Sequence, residues 1–556
     1  MSRDVSVLAD KTFDVVIIGG GVTGAWLALH CAQNGYSTAL VERGDYASAT
    51  SSASSKLLHG GIRYLQQLQF GKVRESAMER SAYVYAAPHL STPVPFVIPT
   101  YQDFKKSKFF LNCGMMAYAA LCIGENALIG SPEQRLPGAR SITPAAMNAI
   151  SDLSHDNHTG GVVFYERHMH DSERMVLAII QTAQANGASA FNYVSATGLL
   201  GNAAKVEGIQ ARDEITGAAF DVKARLVVNA AGPWVDQMNA TLRNAETAPR
   251  LTGFAVGSHI ITRQISDHAL ALTTKHQSDA TIDRGGRHIF AIPWRGYSLI
   301  GTSYEEVGTP DGPLNLQSAH VDELLEGVNE ALPKAGLTRA DVISGYSGLY
   351  PLQTDKIESK VYQGTGEYRI IDHAETNRVA GIVTALGAKF TTGRKVSALT
   401  LPLIAEKLSG SKDTTKTKLT GSDYKSYKGF LRAKLSEYGD TYSEEVITHL
   451  TRVYGSQIDA FLASIADKPA LQKPISAKQP DLMGQIVWAI DHEQALTVSD
   501  ILYRRTSLAL LGMTQDEAGK VADLMAERLG WGDVTKTQQL SECTARMAHT
   551  RAAIAG

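Results

Sequence analysis

The sequence predicts an α/β protein in which a parallel-sheet nucleotide domain is interleaved with a mixed-sheet second domain and followed by a C-terminal helical domain. Three observations predict it. An apolar strand, a glycine turn and an apolar helix follow one another within residues 13–34; strand and helix patterns alternate through residues 161–235 and resume at 382–408; and from residue 423 the pattern is helical to the end. At 556 residues the chain exceeds what one hydrophobic core supports, so two or three domains are expected.

Phe13 to Ile18 is β-branched and almost wholly apolar, which suits a central strand covered on both faces. Glycines follow at once, then an Ala/Leu-rich helix to about Asn34, a break at Gly35 and a second strand from Thr38 to Val41. Residues 47–61 are small and hydroxylated, and helical patterning returns from Val73 to Tyr85. Strands are expected at Val162–Tyr165, near Phe191, at Arg225–Asn229, His259–Thr262, His288–Ile292, Tyr297–Ile300 and Ile382–Ala385, with helices at Glu173–Asn186 and Thr391–Leu408. Ser409–Ser422, rich in Gly, Ser, Lys and Thr, marks a linker, and helices at Glu444–Tyr454, Asp481–Glu493 and Gln515–Leu529 read as a separate cap. The chain then divides into residues 1–410 and 423–556. In the first part, nucleotide segments (10–90, 160–255, 345–410) alternate with substrate segments (91–159, 256–344).

Composition excludes several classes. Fifty-four basic residues against 56 acidic ones leave no strong charge to attract nucleic acid. Cys31, Cys113, Cys122 and Cys543 are too scattered for a disulfide framework or a Cys-x-x-Cys metal pair, so a reducing cytoplasm is expected and no metal site. Residues 1–13 have no signal-peptide pattern, and no apolar run reaches the roughly 18 residues of a spanning helix.

Gly19-x-Gly21-x-x-Gly24 sits between a buried strand and a helix, where the first glycine permits a tight turn, the second a close approach to pyrophosphate, and the third close helix–sheet packing. Glu42 ends the second strand at the spacing of a carboxylate that binds ribose hydroxyls, which makes this a Rossmann-like dinucleotide fingerprint. Thr50-Ser-Ser-Ala-Ser-Ser-Lys56 then offers hydroxyl and ammonium groups on a backbone that can lie close to a large flat cofactor. A nicotinamide enzyme has no need of that loop, so FAD is expected.

Residues 50–65, TSSASSKLLHGGIRYL, resemble the signature of the FAD-dependent glycerol-3-phosphate dehydrogenases of the glycine/D-amino-acid oxidase superfamily. The resemblance continues through Asn229-Ala-Ala-Gly-Pro-Trp234, Gly257-Ser-His-Ile260, Ile292-Pro-Trp294, Ile300-Gly-Thr302, Tyr346-Ser-Gly348, Lys389-Phe-Thr-Thr392, Tyr503-Arg-Arg-Thr506 and Leu529-Gly-Trp531, all in family order. It implies oxidation of the secondary alcohol of sn-glycerol 3-phosphate to dihydroxyacetone phosphate, with electrons passing through flavin to quinone. It further implies FAD contacts at Gly19, Gly21, Gly24, Glu42, Thr50, Ser51, Ser52, Ser55, Lys56, His59, Gly60, Gly232, Gly387, Lys389, Phe390 and Thr391. Arg63, Tyr64, His259, Tyr350 and Lys389 are the expected substrate-site residues, with His259, Lys389 and Arg63 nearest the chemistry. Neutral imidazole suits His259 as proton acceptor, and a guanidinium beside a phenol suits Arg63 and Tyr64 as a grip on phosphate. Arg394, one turn beyond Lys389, is expected to pair with a carboxylate.

The sequence also departs from the family pattern. Tyr350 stands where most members carry a substrate-site arginine, Ala388 replaces a glycine, Gly393 a tyrosine and Tyr304 an aspartate; the changes at Tyr350, Gly393 and Tyr304 are expected to remodel the pocket. Another polyol phosphate, anionic alcohol or amine is therefore the alternative substrate, and a non-catalytic flavin-binding regulator the alternative of another class. Lys105-Lys-Ser-Lys108 followed by the apolar run Phe109–Ile123 suits either a core helix or a helix lying in a cytoplasmic leaflet. The expected location is cytoplasmic, with a peripheral place on the inner face of the cell membrane. The expected partners are a small anionic substrate, a quinone or other acceptor, and a second copy in a homodimer.

Overall fold

A computed structural model describes residues 3–150, 158–242, 253–273, 288–308, 314–352, 367–414 and 417–556. Its first strand, β1 (Thr12–Ile18), is followed by α1 (Val22–Gln33) and β2 (Thr38–Val41). β1 runs parallel both to β2 and to Ala219–Asn229, which in turn pairs in parallel with Ile382–Leu386. Ser189–Phe191 extends the sheet beyond β2, and Arg369–Asp372 closes the other edge antiparallel to Ile382–Leu386. Helices α1, Ser172–Ala185 and Gly393–Leu408 cover one face, where Trp26, Leu29, Ile179, Val396 and Ile404 form the core with Val15, Ile17 and Leu40.

The second sheet is mixed and carries more of the chain than the sequence reading gave it. Gly160–Met169 pairs antiparallel with Ser91–Thr100 along its whole length, so this strand belongs to the substrate sheet rather than to the nucleotide segment 160–255. Val342–Leu352 likewise pairs with Gly253–Arg263, which moves the return to the nucleotide domain later than residue 345. Leu57–Leu58 in the hydroxyl-rich loop adds an edge strand to this sheet. A strand's local pattern states which of its faces is apolar but not which sheet it joins, and these boundaries are set by pairing partners far away in sequence.

Glu444–Tyr454 and Gln515–Leu529 are helical as expected, and Gly484–Glu493 and Gly393–Leu408 begin a little later than the periodicity suggests. Residues 415 and 416 of the linker lie outside the described residues. The C-terminal helices are not a detached cap: Ile486, Val498, Leu502, Leu510, Val521 and Met547 share one apolar core with Phe164, Ile261, Trp294 and Leu299 of the second sheet. Buried ion pairs of Arg174 with Glu493, and of Arg504 and Arg505 with Asp45, fasten them to the nucleotide domain as well.

Candidate active site

A cavity of about 1630 Å³ runs between the two sheets from the glycine turn to the second sheet. At its nucleotide end the backbone is closely packed. Gly19 has φ +107°, and a Cβ there would stand 2.6 Å from Ala230 O; a Cβ on Gly24 would stand 1.9 Å from Gly19 O. Only glycine allows this turn and this approach of α1 to β1. Gly21 caps α1 without a side-chain hydrogen bond, and the N–H of Val22 donates to Ser51 Oγ at 3.0 Å. The Glu42 carboxylate accepts from the N–H groups of Gly20 (2.7 Å) and Gly44 (2.8 Å) and faces the cavity. Burial raises its pKa, and those two donors work against the rise.

These residues fit a dinucleotide. The start of α1 offers N–H groups to anionic oxygens, Glu42 keeps accepting capacity for ribose hydroxyls, and Gly232, at φ +57° in the cavity wall, has nothing within 4 Å of where a Cβ would sit. Thr50, Ser51, Ser52, Ser54 and Ser55 line the cavity beside it. Two of their hydroxyls also brace the second sheet: Thr50 Oγ1 donates to Leu349 O at 2.5 Å, and Ser55 Oγ lies 2.9 Å from His259 Nε2.

Lys56 and Gly60 depart from the sequence expectation. The Lys56 side chain is fully buried outside the cavity wall, its Nζ 2.7 and 3.0 Å from the Glu173 carboxylate and 5.1 Å from the centre of the Trp294 ring. A Cβ on Gly60 would meet Tyr118 Oη at 2.0 Å and the Arg80 guanidinium at 2.3 Å, so this glycine serves packing behind the cavity. Its N–H donates to Glu166, which also accepts from Arg80 and lies 3.1 Å from His59 Nδ1. Burial alone would raise the Glu166 carboxyl, but Arg80 and His59 outweigh it and hold it at about 2. His59 itself lines the cavity, 6.0 Å from the Phe290 ring, and its N–H donates to Thr391 Oγ1.

Arg63 and Tyr64 lie on the short helix Ile62–Gln66, which starts from Gly61 at φ +79°, and both face the cavity. Lys389 faces it with Gly387, Phe390 and Thr391. Its ammonium sits 4.4 Å from the centre of the Tyr64 ring and donates to Ser76 Oγ at 2.8 Å, while burial pushes its pKa down to about 8. The α-helix expected to open here begins only at Gly393, after a 3-10 turn over Phe390–Thr392. Arg394 pairs with Glu79.

His259 projects from Gly253–Arg263 onto Tyr346, ring centres 5.2 Å apart, and lines the cavity. Its Nδ1 is buried and has no hydrogen-bond partner among the described residues. Burial, and then the Lys56 charge, lower its pKa to about 3, so the ring is neutral at neutral pH.

Of the three departures expected to remodel the pocket, only Tyr350 lines it. Tyr304 donates to Glu306 at 3.0 Å away from the wall, and a Cβ on Gly393 would press on Val22 at 2.9 Å, inside the packing of α1. The sequence reading missed the contribution of the helical domain: Tyr503, Arg504 and Arg546 line the cavity too. It also missed Glu166, Arg80 and Glu173, whose local sequence carries no sign of the partners they meet.

A family model described as FAD dependent oxidoreductase matches residues 14–401, and one described as the C-terminal domain of alpha-glycerophosphate oxidase matches residues 412–536. A Synechocystis protein named glycerol-3-phosphate dehydrogenase is 31% identical over 95% of this chain and 95% of its own length. The Homo sapiens protein named glycerol-3-phosphate dehydrogenase, mitochondrial, is 31% identical over 97% of this chain and 74% of its own. The solved structure of the glycerol-3-phosphate dehydrogenase from Bacillus halodurans complexed with FAD superposes with a TM-score of 0.77 over 98% of this chain and 97% of that one, at 25% identity.

Proposed function

The chain belongs to the FAD-dependent oxidoreductases, in the branch of the glycerol-3-phosphate dehydrogenases, and from that membership we propose that it oxidises the secondary alcohol of sn-glycerol 3-phosphate to dihydroxyacetone phosphate. The observation that carries this reading is the convergence of Arg63, Tyr64, Lys389 and the neutral His259 on one cavity with the dinucleotide cradle. When bound, FAD supplies the two-electron acceptor for the carbinol carbon.

The residues divide the remaining work. Lys389 and Arg63 supply the positive charge that a phosphate dianion requires, and Tyr64 holds the Lys389 ammonium against its ring face. His259 takes the hydroxyl proton as the carbonyl forms; its lack of a second partner at Nδ1 keeps one ring nitrogen available. Lys56, Glu173 and Asp171 act from behind by fixing the loop that bears Ser54 and Ser55. The test is anaerobic bleaching of the bound flavin by sn-glycerol 3-phosphate, measured beside longer polyol phosphates, hydroxy acids and amines and repeated with Tyr350→Arg. Bleaching by glycerol 3-phosphate in the unmodified protein is expected. No bleaching with any compound would favour the regulator, and bleaching only after Tyr350→Arg would assign a different native substrate.

A peripheral membrane location and a quinone acceptor are supported by the helix Lys108–Leu121. No helix among the described residues is long and apolar enough to cross a membrane. This one instead leaves Phe109 and Met116 71% and 73% exposed, with Phe104 and Ile123 beside them and Lys105, Lys106 and Lys108 at its start. Its opposite face, Leu111 and Met115, lines the cavity. A single helix with one side against the site and the other suited to lipid supports a lipid-soluble acceptor.

A further inference from the structure

The two nitrogens of His259 differ in what they can reach. The side chain is buried, and its ring lies nearly parallel to that of Tyr346 with centres 5.2 Å apart. A Cβ on Gly301 would stand 2.2 Å from His259 Cδ2, so the paired strand Tyr297–Gly301 presses on that edge of the ring. Nδ1 is buried and has no hydrogen-bond partner among the described residues. Nε2 lies 2.9 Å from Ser55 Oγ, the one hydrogen bond of this side chain among the described residues. Each ring nitrogen has a single in-plane direction for a hydrogen bond, and that of Nε2 is taken by Ser55. Ser55 is half-buried and lines the cavity.

Ser55 is fixed in place from both sides. The Tyr346 hydroxyl donates to the carbonyl of Ser54 at 2.6 Å, and Lys56 is held by its buried ion pair with Glu173. A Cβ on Gly348 would stand 2.5 Å from Ala53 Cβ, so the loop lies directly on the strand Val342–Leu352. A serine hydroxyl has one hydrogen to donate and two lone pairs with which to accept. Ser55 Oγ can therefore donate to Nε2 and accept from a hydroxyl in the cavity at the same time. Nδ1, with no partner to satisfy, is free to carry the hydrogen of the neutral ring, which leaves Nε2 as the acceptor.

We propose that Ser55 is the catalytic residue that receives the substrate's hydroxyl hydrogen and passes its own to His259. The inference rests on the alcohol-oxidation reading and adds a group to it. As the electron pair of the C–H bond passes to the bound oxidant, the carbonyl forms and the substrate O–H bond breaks. That hydrogen goes to Ser55 Oγ, the Ser55 hydrogen goes to Nε2, and the ring, with a hydrogen on each nitrogen, carries the positive charge. The Tyr346 ring face beside it favours a cation. Burial disfavours the charged ring and lowers its pKa to about 3, but a hydroxyl whose carbon is losing hydride acquires the acidity of a protonated ketone, a far stronger acid than this ring. The same burial drives the proton back through Ser55 to water once the product has left.

The test uses the FAD-loaded parent, Ser55→Ala and Ser55→Thr, with anaerobic stopped-flow reduction by sn-glycerol 3-phosphate in mixtures of light and heavy water. FAD affinity and melting temperature are measured beside it. Ser55→Ala is expected to slow reduction by about 10²-fold, the lower end of what positioned proton transfer contributes, with FAD affinity and melting temperature near the parent values. Ser55→Thr, which keeps a hydroxyl, should recover most of the rate. The parent rate should fall with deuterium content along a curve, because two hydrogens move together, and Ser55→Ala should lose the curvature. Parent-like reduction in Ser55→Ala, a linear parent plot, or a Ser55→Thr protein that binds FAD normally yet stays as slow as Ser55→Ala would each overturn the relay. A weakening of FAD binding that accounts for the lost rate would assign Ser55 to the cofactor instead. An FAD-loaded parent that glycerol 3-phosphate does not reduce marks failure of the function reading. The ¹⁵N spectrum of histidine-labelled protein then decides without substrate: the His259 Nε2 signal should shift in Ser55→Ala, and an unshifted signal would overturn the pairing on which the relay depends.

Discussion

Replacing Lys56 by Met separates a cofactor ligand from a structural ion pair. The ammonium is fully buried, with Glu173 oxygens at 2.7 and 3.0 Å and Asp171 Oδ1 at 3.9 Å. Without it, Asp171 keeps the hydroxyl of Ser507 at 2.7 Å and Arg295 at 4.0 Å. Glu173 keeps only the hydroxyl of Ser172 and has no other cation within ion-pair distance among the described residues. Removing one partner of a buried pair costs about 3–5 kcal/mol because the other charge is left unpaired. At roughly 2–4 °C per kcal/mol for a cooperative unit of 150–250 residues, that is a drop in Tm of about 6–20 °C. Calorimetry should record it, and Lys56→Met combined with Glu173→Leu should recover most of it by removing the stranded carboxylate. FAD affinity, titrated well below the melting range, should stay near the parent value. A variant that melts like the parent but loses its flavin would refute this reasoning and return Lys56 to the cofactor.

Three further outcomes follow from the geometry. His259→Ala should slow flavin reduction by about 10²–10⁴-fold in stopped flow, and, because the ring's pKa is depressed to about 3, the parent's reduction rate should show no inflection from His259 across roughly pH 5–8; unchanged reduction with FAD still bound would move the base elsewhere. The Lys389 ammonium, with its pKa lowered to about 8, is present below that pH and lost as pH rises through it. KM for the phosphorylated substrate should therefore climb above pH 8 in the parent and stay flat in Lys389→Arg, and a flat parent profile would remove Lys389 from substrate binding. Met116→Glu and Phe109→Glu should each weaken flotation with anionic vesicles, since a buried large apolar side chain contributes about 1.5–3 kcal/mol, while dye-linked activity persists; equal flotation by parent and variants would place the membrane contact, if any, on another surface.

The nucleotide site was legible because its requirements lie within one short stretch of chain. Gly24 answers to the turn at Gly19, and Glu42, at the end of the next strand, accepts from Gly20 in that turn, so spacing alone fixes what these residues must do. Lys56 was misread for the converse reason. A lysine in a hydroxyl-rich loop looks the same whether it faces a phosphate or a carboxylate 117 positions further on. Gly60, packed against Tyr118 and Arg80, gave no sign of its neighbours either.

The sequence by itself determined the α/β class, the βαβ cradle and the family, since periodicity, turn chemistry and contiguous motifs are properties of neighbouring residues. Tertiary structure alone decided that Gly160–Met169 and Val342–Leu352 join the second sheet, that Tyr350 faces the cavity while Tyr304 and Gly393 do not, and that the C-terminal helices share the core and line the site. Each of these depends on which distant segments meet, and pairing across a sheet or a buried interface is chosen by the energy of the whole packed chain rather than by the residues at either end of the contact.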